Sequence, residues 1–468
     1  MKSQYRTRIE EVTINIILRA RLFAFGIACL LAWAPASAAG ADPARPNVIV
    51  ILADDLGAEG LGCYGSTIYT TPNLDRMAAE GVRFNNAYAT PLCTPTRVML
   101  MSGLYPNRTG FTALIGKDDE VRMPANIKTF AHYFRDAGYQ TAIAGKWQLG
   151  QFDVMPDQPT EHGFDHYCMW TWFYQGKKSS RYYKPQICED GKIFNGTDMD
   201  FGPDYYSQYL LNFIDANKDK PFLVYYPMAL VHSPFLHPPS LEKLARAKYT
   251  DDLDKKTVEF GHMITYMDDI VGKLIAKLKE HGLERSTLVL FTGDNGTGTA
   301  ITSKLPGMDL KGGKGSMTEA GTRVPLLAWW PGQIQQGVRD EFFCLVDVLP
   351  TIAAVAGIKL DRQLDGMDLS HNLFGKDGKN REQVLMSFKK DFFVREKQLR
   401  LNQDGKLYDI PVTSDNERYS EKVTTDPAHE SDRRRLQTAL DQFMAIKSEI
   451  APQRKDGTKS KTTKEKPD

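Results

Sequence analysis

The run "NVIVILADD" (residues 47–55) is apolar from Val48 to Ala53 and ends on two adjacent acids, Asp54 and Asp55. A strand with one solvated face alternates apolar and polar residues, so a run without alternation must be covered on both faces. The same texture returns in "QTAIAGKW" (140–147), "PFLVYYP" (221–227), "STLVLFTGDNG" (286–296) and "VPLLAWWPG" (324–332). Helical periodicity lies between these runs, in "IKTFAHYFRDAGY" (127–139) and "VEFGHMITYMDDIVGKLIAKLKEHG" (258–282). Buried strands alternating with helices predict an α/β fold, a mostly parallel sheet sandwiched by helices. At 468 residues the chain is long enough for a large core and more than one domain.

From about residue 383 the texture changes to short alternating segments, "QVLMSFKKDFFVREKQLRLNQDGKLYDI", followed by the amphipathic "RRRLQTALDQFMAIKSEI". This predicts a smaller C-terminal subdomain (383–450) of antiparallel sheet plus helix, after a main domain at 47–375. The tail at 451–468 is polar and lysine-rich, without apolar periodicity, and is expected to be disordered. No internal repeat is present. Lys+Arg number 59 against 58 Asp+Glu, so net charge supports neither nucleic acid nor a membrane surface as a general partner.

The N-terminus carries "RARLFAFGIACLLAWAPASAAG", an arginine-flanked apolar run ending in Ala36-Ser37-Ala38. It predicts a signal peptide over 1–38 and export to a periplasmic or extracellular location. Pro35 and the small residues beside it argue against a stable membrane span. Cleavage would leave five cysteines. With Cys93 set aside, Cys63, Cys168, Cys188 and Cys344 suffice for two disulfides, or are four buried thiols.

In open α/β sheets, ligands bind beyond the carboxyl ends of the strands. Here those ends deliver Asp54-Asp55, Lys146, Asp294-Asn295 and, a short way past the strand near 224, His232. Three carboxylates and an amide carbonyl make an all-oxygen set suited to a hard cation such as Ca²⁺ or Mg²⁺. Each piece has a structural alternative: Asp294-Asn295-Gly296 also spells a turn, and Asp54-Asp55 also fits a helix cap. "LKGGKGSMTEAGTRVP" (310–325) adds Lys314 in a glycine-rich loop whose spacing fails the Walker pattern. Beside a metal and other cations it reads as part of an anion clamp; alone it is a surface lysine.

"PLCTPTRVMLMSGLYPNRTG" (91–110) predicts a short helix with Thr94 as N-cap, Pro95 in the first position and Gly103 closing it. Cys93 would sit just outside the positive end. Arg97 would lie in the first turn, which disfavours a cation unless negative charge is nearby. Either an anion is held at this helix mouth, or Cys93 is a buried hydrophobe and Arg97 snorkels to water.

Taken with "ILADDLG", "GKWQLG", "VHSPF", "GDNG" and "GGKGSMTEAGTRVP", the stretch "CTPTR…LMSGLYPNRTG" resembles the sulfatase family in motif and order, from about Asn47 to the C-terminal helix. The resemblance implies an alkaline-phosphatase-like fold, with a sulfatase catalytic domain at 47–375, and a calcium-dependent hydrolase of sulfate esters. Cys93 would be oxidised to formylglycine before folding by a formylglycine-generating enzyme. Asp54, Asp55, Asp294 and Asn295, with modified Cys93, match the calcium ligands. Arg97 would steady the formylglycine, and Lys146, His232 and Lys314 would hold the sulfate ester, His232 or Lys314 assisting the leaving oxygen. A hydrated aldehyde can attack sulfur through one hydroxyl as the alcohol departs, and then expel sulfate through the other as the aldehyde reforms, which a thiol cannot do.

Two residues depart from the family pattern. Thr96 replaces the commoner serine, keeping a hydroxyl. Gln148 stands where histidine is usual, and an amide cannot take a proton near neutrality; His237 is a candidate substitute or a loop histidine. Two other functions compete, a phosphomonoesterase or phosphodiesterase on the same cation clamp, and a sulfated-glycan binding protein without turnover. The aromatic, basic segment "MWTWFYQGKKSSRYY" (169–183) either lines a pocket for sulfated carbohydrate or is a packed loop.

Overall fold

The computed structural model describes residues 45–115, 122–153, 155–239, 253–411 and 416–449. The signal peptide expected at 1–38 and the tail at 451–468 lie outside the described residues. The first apolar run forms strand β1 (Asn47–Ala53), buried at every position. It is the middle of a ten-stranded sheet. In chain order the other strands are β2 (Val82–Tyr88), β3 (Gln140–Lys146), β4 (His166–Trp170), β5 (Gln186–Glu189), β6 (Lys192–Asn195), β7 (Phe222–Pro227), β8 (Thr287–Gly293), β9 (Leu326–Trp329) and β10 (Gly337–Cys344). Across the sheet the order is β10-β2-β9-β8-β1-β7-β3-β4-β5-β6.

Strands β8, β1, β7, β3 and β4 are mutually parallel. Strands β9 and β5 run against their neighbours. The unbroken apolar runs thus became the interior strands. The strands not read from sequence lie further out, β4, β5 and β6 on one side and β2 and β10 on the other; of these β2, "VRFNNAY", and β10, "GVRDEFFC", carry polar residues at partly exposed positions. Where one face is only half covered, the pattern alternates and its apolar signal weakens.

Helices α1 (Pro72–Glu80) and α4 (Gly202–Asn217) each pack on α5 (Lys255–Glu280), while α2 (Cys93–Ser102), α3 (Phe130–Asp136) and α6 (Val348–Val355) pack on one another. The two groups flank the sheet. Helix α2 is buried along its whole length. Its start differs from the expected one. Leu92 is the N-cap and Cys93 the first helical residue, while the hydroxyl of Thr94 caps nothing and has no hydrogen-bond partner. Gly103 closes the helix as expected, at φ +68° with its N–H on the Met99 carbonyl.

The C-terminal part is a five-stranded antiparallel sheet, β11 (Val384–Phe388), β12 (Asp391–Glu396), β13 (Leu399–Asn402), β14 (Leu407–Asp409) and β15 (Lys422–Val423), backed by α7 (Glu430–Met444). Leu436, Leu440 and Phe443, spaced along one face of α7, are buried. A buried contact ties this sheet to the larger one. Arg395 of β12 lies 2.9 Å from Glu319 and donates to the Tyr88 hydroxyl, which in turn donates to Glu319.

All five cysteines from Cys63 onward are free thiols, Cys63 partly buried and the rest buried. The two-disulfide alternative therefore gives way to the buried-thiol one. Register explains one near miss: Cys168 lies opposite Glu189 and Cys188 opposite Met169. Neighbouring residues of a strand face opposite ways, so these two thiols point to different faces of the sheet.

Candidate active site

The strand ends are tied together by backbone bonds that continue the sheet beyond β1. Asp54 N–H donates to the Leu230 carbonyl, Val231 N–H to that of Asp54, and Asp294 N–H to that of Ala53. Asp54 is thereby fixed between the ends of β7 and β8. Asp55 turns sharply, with φ +60°, an uncommon conformation outside glycine. Its N–H donates to Asp294 Oδ1 at 3.0 Å. This bond and the turn bring three buried carboxylates to one place.

Helix α2 points its first turn at the same place. Ligand atoms of Asp54, Cys93 and Asp294 lie within 4.8 Å of one another, as do those of Asp54, Asp55 and His232. Arg97, four residues along α2, donates to Asp294 Oδ2 at 2.7 Å, to the Lys146 carbonyl at 2.9 Å, and lies 3.6 Å from Asp54. The unfavourable cation in the first turn is thus answered by buried carboxylates, and it does not snorkel, being 1 % exposed.

Lys146, at the end of β3, donates to both Asp54 oxygens at 2.8 Å. Lys314 reaches back from its glycine-rich loop to Asp55 at 2.6 Å. His232 Nδ1–H donates to the Ser233 carbonyl at 2.7 Å, leaving Nε2 3.6 Å from Asp55. Asn295 Nδ2 donates to Asp55 Oδ1 at 2.9 Å, and its own Oδ1 is buried without a partner. Every residue singled out at the strand ends is brought into one cluster.

The electrostatics bear on what the cluster can hold. Burial acts to raise the Asp54 carboxyl, but Lys146, His232, Arg97 and Arg181 together hold it well below the usual range. Burial and the neighbouring charge of Asp54 push Asp294 up to about 7 despite Arg97. Burial pulls His232 down to about 4, helped by Arg181 and Lys146. Three carboxylates crowded in a dry site cannot all be charged at low cost. A divalent cation would remove that conflict, and the donors present, carboxylate oxygens and a free amide oxygen, suit a hard one.

The family pattern described as Sulfatase matches residues 46–358, spanning both the strand ends and the Cys93 helix. The chain belongs to the sulfatase family. Human arylsulfatase A is 35 % identical over 380 residues, covering 75 % of this chain and 72 % of its relative. The dog N-acetylgalactosamine-6-sulfatase is 32 % identical over 386 residues, 74 % and 69 % covered. Among solved structures, Ps i-CgsB in complex with k-i-k-neocarrahexaose superposes with a TM-score of 0.76 at 26 % identity, over 87 % of this chain and 95 % of the other. The phosphonate monoester hydrolase of Agrobacterium radiobacter shares the fold at 18 % identity, with a TM-score of 0.61 over 86 % of this chain and 96 % of the other. As a sulfatase, the protein is a sulfuric ester hydrolase.

In this sulfatase Gln148 also turns through a positive φ, +53°, and its Oε1 accepts from Cys93 Sγ at 3.5 Å. The Thr96 hydroxyl is buried against that of Thr90 at 2.6 Å. His237, considered as a replacement base, packs against His262 with ring centroids 4.8 Å apart and planes tilted by 38°, and its carbonyl accepts from the Tyr183 hydroxyl. Arg181 was missed. Its guanidinium lies 4.1 Å above the Trp170 ring and 3.2 Å from Asp54 Oδ2. The aromatic, basic composition of 169–183 marked the segment, but nothing local told Arg181 from Lys177 or Lys178.

Proposed function

We propose that this chain is an exported sulfatase of sulfated carbohydrates, with Cys93 matured to formylglycine as nucleophile and calcium held by Asp54, Asp55, Asp294 and Asn295. The observation that supports this reading is the seat of Cys93, within 4.8 Å of two buried carboxylates at the start of a buried helix. When bound, calcium neutralises sulfate oxygens and acidifies a hydroxyl, and formylglycine supplies a nucleophile that turnover regenerates. The chain's own groups do the rest. Arg97 ties the Cys93 helix to Asp294 and to the end of β3, fixing the nucleophile's position. Lys146 and Lys314 bring positive charge to the sulfate oxygens, and His232 offers Nε2 on the leaving-group side. Cys93 and Thr96 are 1 % and 0 % exposed, so the modifying enzyme must act before the chain closes.

The carbohydrate preference draws on the named relatives, one an N-acetylgalactosamine sulfatase and one solved with an oligosaccharide. Mass spectrometry of the Cys93 peptide, from a host with the modifying enzyme, is expected to show aldehyde in place of thiol. Fully retained thiol overturns the proposal. Removing metal with a chelator is expected to lower the Tm, with recovery on adding Ca²⁺, since a ligand bound only by the native state adds RT ln(1 + [L]/Kd). The fold shared with a phosphonate monoester hydrolase keeps phosphate esters as the second reading. Faster turnover of an aryl phosphate than of the matching aryl sulfate would favour it. Export predicts a mature N-terminus just after Ala38, which terminal sequencing of secreted protein reads directly.

A further inference from the structure

Three consecutive residues at the returning end of 169–183 reach three parts of the site. Arg181 Nη1 lies 3.2 Å from Asp54 Oδ2. The Tyr182 hydroxyl donates to the His232 carbonyl and, at 2.8 Å, to that of Ala229. The Tyr183 hydroxyl donates to the His237 carbonyl at 2.8 Å. Two adjacent phenols therefore hold both ends of the stretch 232–237.

Tyr182 takes over where the backbone bonds of this stretch stop. Past the end of β7, Met228 N–H donates to the Leu52 carbonyl, Asp54 N–H to that of Leu230, and Val231 N–H to that of Asp54. These bonds lash 228–231 to the end of β1, and they finish one residue short of His232. Among the described residues, the main chain of His232 has a single hydrogen bond, the one from Tyr182. The imidazole hangs from that main chain, with Nδ1–H on the Ser233 carbonyl at 2.7 Å and Nε2 3.6 Å from Asp55. A shift of the His232 main chain thus carries Nε2 with it, and misplacing a reacting group by about 1 Å can cost roughly a hundredfold in rate.

Tyr182 is itself well fixed. It is buried, and its ring stacks on Phe201 with centroids 5.8 Å apart and planes 17° from parallel. Its carbonyl accepts from Gly202 N–H at 2.9 Å, at the start of α4. Tyrosine has only two side-chain torsions, so a packed ring sets its hydroxyl as a rigid post.

We propose that Tyr182 is a positioning residue for His232: its hydroxyl, by holding the His232 carbonyl, fixes where Nε2 meets the leaving oxygen of the ester. This role rests on the sulfatase reading above, and Tyr182 acts in it only through His232.

The test is a double-mutant cycle on kcat/KM for an aryl sulfate, using the full chain matured in a host with the modifying enzyme. Tyr182→Phe keeps the ring and its stacking and removes only the hydroxyl. It is expected to lower kcat/KM roughly tenfold in the native chain, mostly through kcat, but less than about twofold in a chain already carrying His232→Ala. Phe201→Leu, which loosens the ring and keeps the hydroxyl, should give a smaller loss that also vanishes without His232. Tyr64→Phe is the control, since the Tyr64 hydroxyl likewise donates to two carbonyls, those of Phe84 at 2.8 Å and Leu326 at 3.0 Å, on β2 and β9. Both tyrosine substitutions should lower the Tm by a few degrees, while Tyr64→Phe leaves kcat/KM within about twofold. Equal losses with and without His232, an unchanged kcat/KM in Tyr182→Phe, or as large a loss in Tyr64→Phe overturns the role. Hydrogen exchange read by mass spectrometry needs no turnover. The peptide holding Val231 and His232 should exchange severalfold faster in Tyr182→Phe than in the native chain or Tyr64→Phe, and unchanged exchange also overturns the role. Absence of aryl sulfate turnover by the unmutated matured chain condemns the sulfatase reading, while exchange still decides whether Tyr182 holds His232.

Discussion

Gln148 holds an amide against Cys93, where the family resemblance implies a titrating ring. An amide can orient a hydroxyl but cannot exchange a proton with it near neutrality. Gln148→His is therefore expected to raise kcat severalfold and to add a limb near pH 6.5 to the kcat profile, checked with an aryl sulfate from pH 5 to 9. An unchanged profile would show that no base is needed there. Arg97 makes a different demand, for shape as well as charge. Its guanidinium serves the Lys146 carbonyl and Asp294 at once, from two nitrogens. A lysine has one ammonium and no fork, so Arg97→Lys is expected to lower kcat/KM roughly a hundredfold while the chain still folds. Steady-state kinetics and circular dichroism together check this.

Among the elements, β3 and β7 set the position of Lys146 through a glycine. Gly145 has φ +119°, and a Cβ there would stand 2.1 Å from the Pro227 carbonyl oxygen. Gly145→Ala must push the two strands apart at the site. We expect a loss of about 2–3 kcal/mol in urea denaturation and a fall in kcat as Lys146 shifts. Helices α1 and α5 meet at Asp268, whose carboxylate accepts from the backbone N–H groups of Asn73 and Leu74 at the start of α1. Burial outweighs those bonds and raises Asp268 to about 6. Because the folded value lies above the unfolded one of about 3.9, this group favours the native state at low pH. That contribution is lost as pH rises through about 6. Relative to Asp268→Asn, the native chain should lose about 3 kcal/mol of stability between pH 4 and 8, read from denaturation midpoints at each pH.

At the scale of the molecule, the small sheet is joined to the large one through Arg395, Glu319 and Tyr88. Arg395→Ala leaves Glu319 buried without its cation and is expected to cost about 3–5 kcal/mol, read as a lower urea midpoint for the whole chain. Replacing both partners by leucine and methionine should recover most of it. The interior strands and the residues at their carboxyl ends were legible in the sequence. Strands covered on both faces show unbroken apolar runs, and a polar residue just past such a run has nowhere to go but the sheet edge. Asp54, Asp55, Lys146 and Asp294 were readable for that reason. The outer strands β2 and β10 were not, since half-covered strands alternate weakly. Nor was Arg181, whose contact with Asp54 spans 127 residues. Cys93 was identified by its motif, yet the start of α2 was misplaced by two residues, because Leu92 rather than Thr94 took the cap. The sequence alone thus determined the layering of the fold and which chemical groups stand at its active edge, because burial pattern and strand direction are local properties of the chain. Only the tertiary structure decided strand order, the unbridged thiols and which cation faces which carboxylate, because those depend on distances between segments that no local pattern encodes.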